Sequence, residues 1–141
     1  MWGSAANSVL LKLILLQKRA VRIIDNSPYL AHSDPLFKKL SILKLNSIYK
    51  LSCLVFMYKI KNNQIPNVCN SLVLLNTNLV PRYNLRTTND FIIPNHRTTL
   101  RSKCIKIQGP KFWNSIPAST KAVNNMNTFK KQVKLSLITN Q

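Results

Sequence analysis

NSVLLKLILLQKRAVRIID, Asn7 to Asp25, carries two patterns at once. Val9, Leu13, Leu16, Ala20 and Ile23 recur alternately four and three residues apart, the spacing that lines one face of an α-helix. At roughly 100° per residue, Lys12, Lys18, Arg19 and Arg22 fall within an arc of about 120° away from that row. The expectation is an amphipathic helix that buries the first set and shows the second to solvent. Asn26-Ser27-Pro28 stops it, because the residue before a proline avoids the α region.

The same punctuation extends the reading outward. Ser33-Asp34-Pro35 is a helix start, with a side-chain oxygen to cap open amides and a proline in the first turn; a short helix to about Leu40 follows. Asn46-Ser47 opens a longer helix to about Lys61, with Ile48, Leu51, Val55 and Tyr58 as its expected buried stripe, and Asn62 to Pro66 ends it. From Leu75 to Asn95 the helical period is lost amid asparagine, threonine and proline, which suggests an extended arm carrying Arg82 and Arg86.

Asp90–Ile93 and Lys103–Gln108 are strand candidates, the second with Ile105 and Ile107 facing inward, and together they predict a small β-hairpin. Gly109-Pro110 then turns the chain into an aromatic segment, Lys111–Pro117, where Phe112 and Trp113 suit a packing role. A last amphipathic helix, about Asn127 to Ile138, sets Phe129, Val133 and Leu137 against Lys130, Lys131 and Lys134. The expected fold class is mainly α (α+β), one compact unit. Its parts are a helical stretch 1–74, an arm, hairpin and aromatic stretch 75–117, and a terminal helix 118–141.

Charge bounds the function. Twenty-one Lys and Arg stand against three Asp and no Glu, a formal charge of +18 on 141 residues. Uncompensated cations at this density call for a polyanion, and phosphate contact needs only Arg, Lys and helix termini, whereas base reading needs a defined recognition element. The candidate contacts are Lys18, Arg19 and Arg22 on the first helix, Arg82, Arg86, Arg97, Arg101, Lys103 and Lys106 around the arm and hairpin, and Lys130, Lys131 and Lys134 at the end. Tyr83 either stacks on an unpaired base or anchors its loop.

Acid–base and two-metal chemistry have almost no carboxylates to draw on, so catalysis by this chain alone is not expected. Two glycines cannot build a phosphate-cradling loop, and Cys53, Cys69 and Cys104 with His32 and His96 lack metal-ligand spacing, so neither cofactor nor metal is expected. An odd, scattered cysteine set suits free thiols in a reducing compartment. The apolar run Val9–Leu16 is too short to span a bilayer and its basic residues follow rather than precede it, so an intracellular chain without a membrane partner is expected.

The order of these segments resembles a known family. Leu16-Gln17-Lys18-Arg19-Ala20-Val21-Arg22-Ile23-Ile24 resembles the "LQKRAIRII" helix late in LINE-type (non-LTR, jockey-like) retrotransposon polyproteins, and Trp2-Gly3 matches the "WG" ahead of it. Ala31 to Leu40 with Ile42-Leu43-Lys44-Leu45 looks like that family's next block, and Tyr83-Asn84-Leu85-Arg86 is similar to its "YNTR". Gly109 to Pro117 is close to "GPKLWNSLP", and Thr128 to Lys134 matches the closing "SFKKKLK".

The resemblance implies the C-terminal region of an RNA-directed DNA polymerase, whose polymerase domain would lie upstream of Met1 and whose catalytic residues are not in this chain. It implies template RNA or target DNA as partner, in a nuclear or cytoplasmic ribonucleoprotein. Two other readings stay open on the sequence: an inert truncated relic of the element, and a freestanding basic ribonucleoprotein component.

Overall fold

The structure, a computed structural model, describes residues 5, 7–66, 69, 73 and 90–140. Seven helices order these residues: α1 (Asn7–Ile24), α2 (Ser33–Lys39), α3 (Leu45–Lys61), α4 (Thr99–Ser102), α5 (Ile105–Asn114), α6 (Ala118–Lys121) and α7 (Met126–Thr139). The mainly helical character expected from sequence is therefore present, and four of the helices begin and end within two residues of their sequence-derived bounds. The chain divides into two compact units, 1–51 with 130–141, and 52–129.

In the first unit, α1, α2 and the turn into α3 are fixed by local chemistry. α1 and α2 each end on a residue in the left-handed region, Asn26 and Ser41, both at φ 52°. At each end the following amide reaches back a full turn and more, Ser27 N–H to Arg22 O at 3.0 Å and Ile42 N–H to Phe37 O at 3.0 Å. These are Schellman closures that satisfy carbonyls a bare helix end leaves open.

α2 starts without a side-chain cap from His32. Asp34, expected to cap, instead pairs with Lys44 at 2.9 Å. Across this unit Asp25 accepts from Lys39 at 2.6 Å and from the Ser27 hydroxyl at 2.6 Å, which ties the end of α1 to α2.

α1 corrects the sequence reading of its faces. The buried side chains are Leu10 and Val21, and Val9, Leu13, Leu16 and Ile23 are 57%, 45%, 61% and 69% exposed. The inward stripe is Leu10, Ile14, Gln17 and Val21, and Gln17 decides it. Its amide donates to Leu43 O at 2.8 Å and accepts from Leu45 N–H at 2.9 Å, bonds that only this orientation makes. Polar pairing over a long sequence separation thus overrides the apolar period.

The second unit is built around aromatic rings. Trp113, Tyr58, Phe91 and Phe129 are fully or almost fully buried. Tyr58 stacks on Phe129 with centroids 4.6 Å apart, Trp113 lies 5.9 Å from Phe129, and Phe91 meets Trp113 edge-on at 5.7 Å. The Tyr58 hydroxyl, carried inside, donates to the Asn124 carbonyl. Within α3 the buried residues are Cys53, Leu54, Met57, Tyr58 and Ile60, so only Tyr58 of the stripe expected from sequence is fully buried. α3 closes like the first two helices, with Asn63 at φ 52°.

The predicted β-hairpin is absent among the described residues. Of Asp90–Ile93 only Phe91 has bridge geometry, and Lys103–Gln108 is a turn followed by the start of α5. The alternation of Ile105 and Ile107 was outweighed by a three-residue period: Ile107, Pro110 and Trp113 are all buried on one side of α5.

Gly109-Pro110, expected as a turn, lies inside that helix. A Cβ at Gly109 would come within 2.6 Å of Met57 Sδ, so glycine here permits close packing against Met57. One side chain pairs with both backbone groups of Phe91. Asn114 accepts from Phe91 N–H at 3.0 Å and donates to Phe91 O at 2.9 Å, as a neighbouring strand would.

Candidate nucleic-acid interface

The cations named from sequence separate into three situations. On α1, Arg19 is exposed, while Lys18 and Arg22 are half-buried. Arg22 Nε donates to the Ala31 carbonyl at 2.7 Å, which holds the 28–31 turn against α1. Lys18 and Arg22 line a concavity of about 340 Å³ with Leu30, Ala31, His32 and Asp34. The first helix therefore offers one exposed arginine, with Arg22 engaged by its own turn and Lys18 half-buried beside it.

Around the start of α5, Arg97, Arg101 and Lys106 are exposed and Lys103 is half-buried. The short α4, capped by the Thr98 hydroxyl, packs on α5 and places Arg101 two residues before the Lys103 cap. Gln108 holds this corner by donating to Ser102 O at 2.8 Å.

α5 opens on Cys104 with no side-chain cap and no acidic residue in its first turn. A helix N-terminus carries the positive end of the backbone dipole, where cations are unfavourable and anions are welcome. Lys103 and Lys106 flank that end, so the local field is positive from both side chains and backbone.

On α7, Lys130, Lys131 and Lys134 are exposed, and Phe129, Val133 and Leu137 are buried, as their periodicity required. Arg82 and Arg86 lie outside the described residues, as does Tyr83.

Two lysines outside the candidate set are drawn toward the core, Lys121 buried and Lys61 half-buried. Lys121 is 8% exposed and pairs with Asp90 at 2.7 Å, thirty-one residues away. Lys61 donates to Lys121 O at 2.8 Å and sits 5.8 Å above the Trp113 ring. Burial first, and the Lys121 charge second, push the Lys61 ammonium below its ordinary pKa. The signal that could have found Lys121 was weak: a lysine among small polar residues just after the aromatic segment.

All three aspartates are thus paired with lysine, to Lys39, Lys44 and Lys121. Among the described residues no three His, Cys, Asp or Glu side chains converge as metal ligands. No disulfide joins the cysteines; Cys53 is buried, Cys69 half-buried and Cys104 exposed. Among the described residues no helix is long and apolar enough to cross a membrane. No protein-family model, no curated protein and no solved structure matches the chain.

Proposed function

We propose that this chain is a non-catalytic nucleic-acid-binding segment that holds RNA or DNA through its phosphates, with the corner formed by α4 and the start of α5 as its principal contact. The carrying observation is the run of Arg97, Arg101, Lys103 and Lys106 along the chain into and past an uncapped helix N-terminus with no acidic residue in that first turn. Such an arrangement is self-repelling until an anion enters, and a phosphate satisfies cations and helix end together. Lys130, Lys131 and Lys134 provide a second, row-like surface suited to backbone tracking.

The parent activity follows from the sequence resemblance: the C-terminal segment of a LINE-type reverse transcriptase, positioning template RNA or target DNA for a polymerase domain carried elsewhere. On this reading the chain has no catalytic residue of its own.

A salt series tests it. Affinity of the purified chain for single-stranded RNA and for duplex DNA should fall log-linearly with salt, with a slope of about −0.7 per phosphate contact for single strands and about −0.9 for the duplex. Absence of binding at low ionic strength would sink the proposal.

A further inference from the structure

The outward row of α1 has no role in holding nucleic acid, and its spacing is specific. Val9, Leu13, Leu16, Ala20 and Ile23 follow a 4-3-4-3 pattern, the seam of a two-stranded coiled coil, with Leu13 and Ala20 at a and Val9, Leu16 and Ile23 at d. Every one of them is exposed. The row is not a core face turned the wrong way, because the separate stripe of Leu10, Ile14, Gln17 and Val21 is locked inward by the two Gln17 bonds to Leu43 and Leu45.

In that register Lys12 and Arg19 both fall at g, beside the seam. On the same flank a concavity of about 440 Å³ has an apolar floor of Leu15, Leu16 and Tyr29 and a rim of Lys12, Arg19 and Arg22. α1 has 18 residues, about 27 Å of helix, long enough for two heptads of pairing.

We propose that α1 docks, knobs-into-holes, an amphipathic helix of another polypeptide whose seam is apolar and whose flanks are acidic. Charge complementarity selects this occupant. A second copy set antiparallel would bring Lys12 and Arg19 against themselves, and set parallel would bring them to Gln17 and Ile24, neither of them acidic. The chain has no glutamate, and its three aspartates are already ion-paired, so no segment of it supplies the complementary flank. A nucleic acid answers the cations but gains nothing from Val9, Leu13 or Ile23. An acid-flanked helix answers both, and its apolar seam gives affinity while its carboxylates set orientation and partner choice. This inference stands apart from the phosphate-holding corner at α5.

The test uses the full chain and labelled three-heptad peptides with Leu at a and d. One carries Glu at e and g, one carries Lys there, and a third keeps Glu but has Ser in the seam. The Glu–Leu peptide should bind at least about tenfold tighter than either of the others. Leu13→Ser with Leu16→Ser should weaken it about tenfold or more with helicity unchanged, since both side chains are exposed. Lys12→Glu with Arg19→Glu should reverse the preference toward the Lys-flanked peptide.

Equal binding of the Ser-seam peptide would reduce the effect to bulk charge and overturn the proposal. So would no binding of the Glu–Leu peptide, or a concentration-dependent dimer of the chain that Leu16→Ser abolishes. Capture by anionic phospholipid vesicles that depends on Leu13 and Leu16, without peptide binding, would assign the row to lipid instead.

Discussion

Residues 52–129 and residues 1–51 contain similar apolar stretches and use them in opposite ways. The former enclose Trp113, Phe91, Tyr58 and Phe129 and bring a lysine–aspartate pair in with them. The latter carry the longest helix among the described residues and leave Leu11, Leu13, Leu15, Leu16, Ile23 and Ile24 more than 40% exposed. Among soluble chains, isolated exposed leucines are ordinary, but a periodic row of them marks a surface awaiting a partner. The first region closes an aromatic core, and the second presents two open surfaces, the α1 row and the Arg22–Asp34 concavity.

That contrast can be broken by substitution. Trp113→Ala should destabilise the 52–129 unit by about 3–5 kcal/mol, because a fully buried ring leaves a cavity its neighbours cannot fill. Leu16→Ala on the exposed row should stay within about 0.5 kcal/mol. Urea unfolding followed by circular dichroism compares them directly; equal effects would dissolve the distinction.

Asn114→Ala should cost about 2 kcal/mol, since it removes two hydrogen bonds to the backbone of buried Phe91. Amide exchange at Phe91 should accelerate in step. In the other unit Ser41→Gly should stabilise by about 1 kcal/mol, because a serine held at φ 52° bears strain that glycine does not. A fall in the thermal midpoint for that variant would refute the Schellman account of α2.

The smallest effects are in pH, and they run in opposite directions. Hydrogen bonds from Lys39 and Ser27 lower Asp25, and a hydrogen bond from Lys44 lowers Asp34. A carboxyl lowered on folding contributes stability above its unfolded pKa and loses it as pH falls through the folded value, so unit 1–51 should weaken below about pH 4. Lys61 is lowered as an ammonium, chiefly by burial. Its unfolded form holds the proton longer as pH rises, so the 52–129 unit should gain stability from below pH 10.5 up to that value. Lys61→Met should remove the alkaline gain, and Asp25→Asn should shrink the acid loss.

Helix existence was legible because caps, prolines and the 3.6-residue period act locally. Asn26, Ser33 to Pro35 and Asn62–Asn63 mark ends that the structure reproduces closely. Which face of α1 turns inward was not legible. Leu10, Leu11, Leu13, Ile14, Leu15 and Leu16 make the helix apolar almost all round, and the choice rests on Gln17 reaching residues 26 and 28 positions away. The hairpin expectation failed for a related reason: Ile105 and Ile107 alternate like a strand, and only burial against Met57 and the aromatic cluster reveals the helical period. The basic clusters were visible as charge, but sequence could not tell the exposed Arg101 and Lys106 from half-buried Lys61 and buried Lys121.

The most direct test of the phosphate-holding corner compares charge-matched variants. Single-stranded RNA affinity should be measured across salt for Arg101→Gln with Lys106→Gln, and for Lys38→Gln with Lys59→Gln as the control of equal net charge. The account predicts that the first pair flattens the log–log salt slope by about 1.4, two phosphate contacts' worth, and that the control pair leaves it near the wild-type value. Equal flattening by both pairs would contradict it, because net charge alone would then be holding the nucleic acid.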